Sequence, residues 1–114
     1  MNAGEIREQW EIFWAHTNEK TKAEKASQAA LFELSRYYLS LTPAGKDAIN
    51  DLLAEWVVSD DESKRFDALA LIDEHRISSA LPALHRLGEE LDKSTDPGAP
   101  YERAKVDRIV AGLA

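Results

Sequence analysis

The chain contains no cysteine. That excludes disulfides, thiolate zinc sites and cysteine nucleophiles, and the composition suits a reducing cytosol. Long apolar runs are also missing. The longest, Ala68 to Ile72, falls far short of the roughly 20 residues that a bilayer-spanning helix needs. The stretch Met1 to Glu8 has no basic segment followed by an apolar one, and Gly4 does not directly follow Met1. Neither a secretory signal nor a myristoylation pattern is therefore expected. Glycine is sparse, and Gly45, Gly88, Gly98 and Gly112 stand alone. No Gly-rich phosphate loop, no Gly-x-Ser-x-Gly elbow and no His-Glu-x-x-His pair appears. Segments alternating apolar and polar residues are absent too, so no sheet is predicted.

What is present is a soluble-type composition of 114 residues, 44% hydrophobic and 31% charged, enough for one domain with a continuous core. Acids exceed bases, and the net charge is −7. The excess is concentrated. Between Asp47 and Glu74 lie nine acids and only two bases, Lys64 and Arg65, so this quarter of the chain carries the whole net charge. Such a surface repels nucleic-acid phosphates and anionic lipid, and it attracts basic proteins over about a Debye length. The bland alternative is a solvated helix face, the usual fate of a charge run. Asp47, Asp51 and Glu55 recur every four residues, a like-charge ridge that costs an isolated helix a few tenths of a kcal/mol per pair, roughly.

Helical periodicity runs through the chain. Ile6, Trp10, Phe13 and Trp14 form one face of a helix over about Gly4 to His16, and the polar stretch Thr17 to Thr21 is expected to be a turn. A second helix is expected to reach about Ser40, with Ala30, Leu31, Leu34, Tyr37, Tyr38 and Leu41 inward. Thr42-Pro43 is a restart signal: Thr can cap an orphan N–H, and Pro suits the first helical position. The third helix carries Ile49, Leu52, Leu53, Trp56 and Val57 as an unbroken stripe, and Ser59-Asp60-Asp61 supplies a turn and an N-cap. The fourth helix, about Glu62 to His75, is apolar over a wide arc of Phe66, Ala68, Leu69, Leu71 and Ile72. A fifth is expected over about Ser79 to Lys93, with Leu81, Leu84, Leu87 and Leu91 inward and Pro82 in its first turn. A loop of turn formers from Ser94 precedes a last helix over about Pro100 to Ala111, burying Val106, Ile109 and Val110.

The second half carries an imperfect repeat. Arg65, Ala68-Leu69 and Ile72 recur in kind as Arg103, Val106 and Val110, 38 residues on. A period of that size, two helices per unit, signals an α-helical repeat array. From Thr42 onward the pattern resembles HEAT-type repeats, including the short form known from phycobilin lyases. The matching residues are Asp61, Lys64-Arg65, Ala68-Leu69, Ile72, Ile77 and Ala80-Leu81-Pro82-Ala83-Leu84. The second copy departs from the pattern, because two prolines and a glycine separate Asp96 from Arg103 and Asp107 replaces an apolar residue. The resemblance implies an all-α fold of about six helices in three stacked antiparallel hairpins, a short α-solenoid. In it, residues 1–41 would be N-terminal capping helices and 42–114 HEAT-like pairs of one domain. It also implies a binding surface rather than a particular chemistry. Small, acidic, helical proteins of this build are similar to immunity proteins of bacterial toxin systems as well.

The expected function is a non-enzymatic, cytoplasmic inhibitor or immunity-type protein. Asp47, Asp51, Glu55, Asp60, Asp61, Glu62 and Asp67 would engage a basic protein partner such as a toxin. No nucleic acid, membrane, metal or cofactor is expected. His85 and Glu89 lie one turn apart, but a zinc site wants three or four convergent ligands. Two alternatives stand beside this reading: a lyase-like enzyme or enzyme subunit acting on a small molecule, and a scaffold that forms a homodimer through the Trp10–Trp14 helix.

Overall fold

The computed structural model describes residues 2–24 and 27–113, and the side chains of all of these except 21–24 and 27. Six α-helices and one short 3-10 turn make up the described residues, with no strand among them. The helices are α1 (Ala3–Glu24), α2 (Ser27–Ser40), α3 (Pro43–Val57), α4 (Glu62–His75), α5 (Leu81–Lys93) and α6 (Ala99–Leu113), and the 3-10 turn is Ser78–Ala80. The all-α class and the number of helices match the sequence expectation. The residues gather into two compact units, Met1–Leu52 and Leu53–Ala114, which divide within α3.

In the first unit α1 packs along α2. Trp10 is fully buried and meets the Tyr37 ring edge-on, at 5.6 Å between centroids, while Phe13 lies 4.7 Å from the same ring. The indole Nε1 of Trp10 finds no acceptor among the described residues. The expected turn at Thr17 does not form, and α1 runs on to Glu24. The cause is positional. Thr17 lies seven residues past Trp10, on the buried face, and is 1% exposed. Asn18 Nδ2 donates to the Trp14 carbonyl at 2.8 Å, so its amide is satisfied inside the helix. No proline or glycine interrupts residues 5–42, so nothing local forces a break. The second helix accordingly starts at Ser27 and not near Lys20, after a Thr17 or Asn18 cap, as expected; Lys25 and Ala26 lie outside the described residues. Of the residues expected inward on this helix, Ala30, Leu34 and Tyr38 are buried, while Leu31, Tyr37 and Leu41 are half-buried. Thr42 caps α3 through its hydroxyl, which accepts from the Gly45 N–H at 3.1 Å.

In the second unit α6 packs against both α5 and α4. α5 and α6 form a hairpin across the loop that begins at Ser94. The predicted stripes of these helices are buried: Leu53, Trp56, Val57, Leu69, Leu71, Ile72, Leu84, Leu87, Val106 and Ile109 all lie within the unit. Asp61 caps α4 as predicted, its carboxylate accepting from the N–H groups of Ser63 and Lys64. At the other end Arg76 adopts a left-handed conformation, φ 52°, and its N–H closes on the Ile72 carbonyl. α5 begins two residues later than expected, since Ser78–Ala80 tightens into the 3-10 turn first.

One predicted core residue is displaced. Phe66 is 50% exposed, although the sequence places it on the apolar arc of α4. Its neighbour Asp67 takes the inward position at 6% exposure. The ring of Phe66 is covered by Lys105 of α6, whose Nζ lies 4.3 Å from the ring centroid.

Candidate functional site

The acids singled out in the sequence fall into two groups. In the first unit Asp47 and Asp51 are exposed on α3, opposite the stripe that buries Ile49 and Leu52. In the second unit Glu55, Asp60, Asp61 and Glu62 are exposed, at the end of α3, in the following turn and at the start of α4. Asp61 has committed one carboxylate oxygen to its cap, at 2.9 Å from Ser63 N and 3.2 Å from Lys64 N. Asp67 does not belong with them. It is buried, so it cannot meet a partner's surface, and its charge acts on Lys105 instead. Burial holds the Lys105 ammonium below the ordinary lysine pKa, against the pull of Glu102, Asp73 and Asp67 and with a smaller push from Arg108.

The turn before α4 is built around Arg65. Its Nε donates to Glu102 Oε1 of α6 at 2.6 Å, and its Nη2 reaches Oε2 at 3.4 Å. Its Nη1 donates to the Ser59 carbonyl at 3.0 Å. The hydrogen bond to Glu102 holds the guanidinium above its ordinary pKa and outweighs the opposing effect of burial. One side chain thus ties the α3–α4 turn, α4 and α6 together. The sequence pattern marks Arg65 as a repeat residue but not Glu102 as its partner.

Two of the turns share a hydrogen-bond pattern. Ser59 Oγ accepts from Asp61 N at 3.1 Å, and Ser94 Oγ accepts from Asp96 N at 3.1 Å. Each aspartate then caps the turn that follows, Asp61 onto Ser63 and Lys64 and Asp96 onto Gly98. The helix faces repeat with a shift of 38, while these Ser-x-Asp turns repeat with a shift of 35. The prolines and glycine after Asp96 take up the difference. Arg103 accordingly finds other partners than Arg65 does. It pairs with Asp92 of α5 at 3.3 Å and Asp107 at 3.7 Å, crossing α5 where Gly88 leaves room: a Cβ there would stand 1.5 Å from Nη1.

A shallow depression of about 190 Å³ opens between the α3–α4 turn and α5. Val58, Leu87 and Leu91 give it apolar walls, Asp60 and Glu90 bring two carboxylates, and the Arg65 guanidinium lies at its side. Asp60 is among the predicted site residues. Glu90, Leu87 and Leu91 were missed as site residues, because only packing brings α5 beside the turn. The recurrence of Ser-x-Asp at Ser59 and Ser94, both of which also line this depression, is the one sequence signal that could have found it.

The histidines stay apart. His75 Nε2 lies 4.0 Å from Glu74 Oε2, and His85 is exposed on α5. Among the described residues no group of three or more His, Asp or Glu side chains could hold a metal ion. No described helix is long and apolar enough to cross a membrane. Comparison with family models, with curated proteins and with solved structures found no match to this chain.

Proposed function

We propose that the protein is a non-enzymatic binding module of the cytoplasm, a HEAT-like inhibitor or immunity-type protein that engages a basic protein partner, such as a toxin, and blocks its working surface. The observation that carries this reading is the outward placement of Asp47, Asp51, Glu55, Asp60, Asp61 and Glu62 in the part of the chain that holds the whole net charge. Carboxylates on the surface act through water over about 8 Å at physiological salt. Their work is to steer a cationic partner and raise its on-rate, and the packed contacts then set how long the complex lasts.

The test is affinity capture from the source organism's lysate, with the native chain and a variant carrying Asp47→Asn, Asp51→Asn, Glu55→Gln and Asp60→Asn. All four side chains are exposed, so the variant keeps its core. A basic protein held by the native chain, released by salt and lost with the variant is the expected result. Equal retention by both chains would remove the acidic segment from the mechanism.

A second reading, self-association, is favoured by large apolar side chains on the surface of the first unit. Ile12 is 63% exposed on α1, and Phe32 and Leu39 are 63% and 59% exposed on α2. Trp10, by contrast, is core and not available to an interface. A dimer by light scattering that dissociates with Phe32→Ser and Leu39→Ser would support it, and a monomer at high concentration would end it.

A further inference from the structure

We propose that the depression between the α3–α4 turn and α5 seats one long basic side chain, lysine or arginine, presented by the protein partner. This rests on the reading of the chain as a binder of basic proteins and names the chemistry of one contact. Three observations select the occupant.

The first is size. Sites for small molecules and cofactors run to roughly 300–1,000 Å³, and about 190 Å³ is below that range. It suits a single side chain.

The second is the order of the lining. Leu87 is buried, Leu91 and Val58 are half-buried, and Asp60 and Glu90 are exposed. Lysine and arginine have the matching profile, an apolar stem with a charged tip that stays near water.

The third is charge. An arginine in the lining would ordinarily point to an anionic ligand. The Arg65 guanidinium is already matched by Glu102 through two contacts, and its other nitrogen is held by the Ser59 carbonyl. The pair is neutral taken together; Asp60 also acts on this guanidinium, yet with Glu90 it still leaves an excess of negative charge in the lining.

The experiment is a nuclear magnetic resonance titration of the full chain with a blocked Gly-Gly-Arg-Gly-Gly peptide, and with the same peptide carrying neutral citrulline. The expected result is saturable movement of the Val58, Leu87 and Leu91 methyl signals with the arginine peptide and none with citrulline. Asp60→Asn with Glu90→Gln should weaken binding by about tenfold or more, the usual effect of losing charge-assisted contacts. Methyl shifts of equal size with the citrulline peptide would overturn the assignment, because the stem alone would then be recognised. Shifts confined to Asp47, Asp51 and Glu55 would also overturn it, while leaving the acidic-segment reading in place. The converse is separable too. If the peptide binds here but capture is indifferent to Asp47→Asn, Asp51→Asn and Glu55→Gln together, with Asp60 left native, the pocket stands and the steering role of the α3 acids fails.

Discussion

The Arg65–Glu102 pair offers the sharpest test of how the second unit is held together. The perturbation is a double-mutant cycle of Arg65→Met, Glu102→Ala and both. Methionine keeps much of the stem and removes every donor. The pair's side chains are 18% and 24% exposed, which places it between two known regimes. Exposed pairs contribute about 0–1 kcal/mol, and breaking a buried pair costs about 3–5 kcal/mol. With most of both side chains covered, about 2 kcal/mol is the reasoned value for this pair. Arg65→Met also loses the bond to the Ser59 carbonyl, worth about 1 kcal/mol, so its total cost should be about 3 kcal/mol. Glu102 sits in the first turn of α6, where its charge adds about 0.5 kcal/mol through the helix dipole. Its removal should therefore cost about 2.5 kcal/mol, and the double variant about 3.5 kcal/mol, because the pair is lost only once. The expected coupling is thus about 2 kcal/mol. Urea unfolding followed by far-ultraviolet circular dichroism measures each corner of the cycle. A coupling below about 0.5 kcal/mol, the scatter of independent sites, would refute the view that this pair joins α4 to α6.

Three further outcomes follow from the packing. Trp56 is 4% exposed, with Lys64 Nζ 5.3 Å from its ring centroid, and Trp56→Ala should cost about 3–5 kcal/mol in the same urea assay; a loss under about 1 kcal/mol would place the ring outside the core. Arg76→Gly should raise stability by about 1 kcal/mol, since the left-handed φ of 52° strains any side chain, and its bond to the Gly112 carbonyl is exposed and long at 3.3 Å; a lowered Tm would give that bond the greater weight. Tyr38 is held above its ordinary pKa of 10.0, chiefly by burial, with the Asn50 hydrogen bond opposing and Asp47 assisting. A raised folded-state pKa stabilises the native chain fully below pH 10 and loses that contribution as pH climbs through the folded value, so the stability lost above pH 10 should be smaller in Tyr38→Phe; identical pH profiles would show that the phenol does not titrate in a buried place.

Much of this molecule was legible in the sequence because its signals are local. Thr42-Pro43 starts α3, Asp61 caps α4, and the apolar spacing from Ile49 to Val57 marks a face that is fully buried. Each of these depends on residues within a turn or two of one another, so the sequence by itself determined the helical class, most helix boundaries and most of the core. Tertiary packing decided the rest. A wide apolar arc does not say where its centre points, and neighbouring residues differ by about 100° around a helix; the position of α6 turned Phe66 outward under Lys105 and drew Asp67 in. Thr17 is polar in sequence, yet it lies on the buried face past Trp10, so the helix continues where composition suggests a turn. Arg65 could have met Asp61 one turn away and instead met Glu102, 37 residues on. The depression beside Asp60 exists only because α5 lies against the α3–α4 turn. Charge pairing and cavity shape depend on the register between helices, a non-local quantity that periodicity along one helix does not contain.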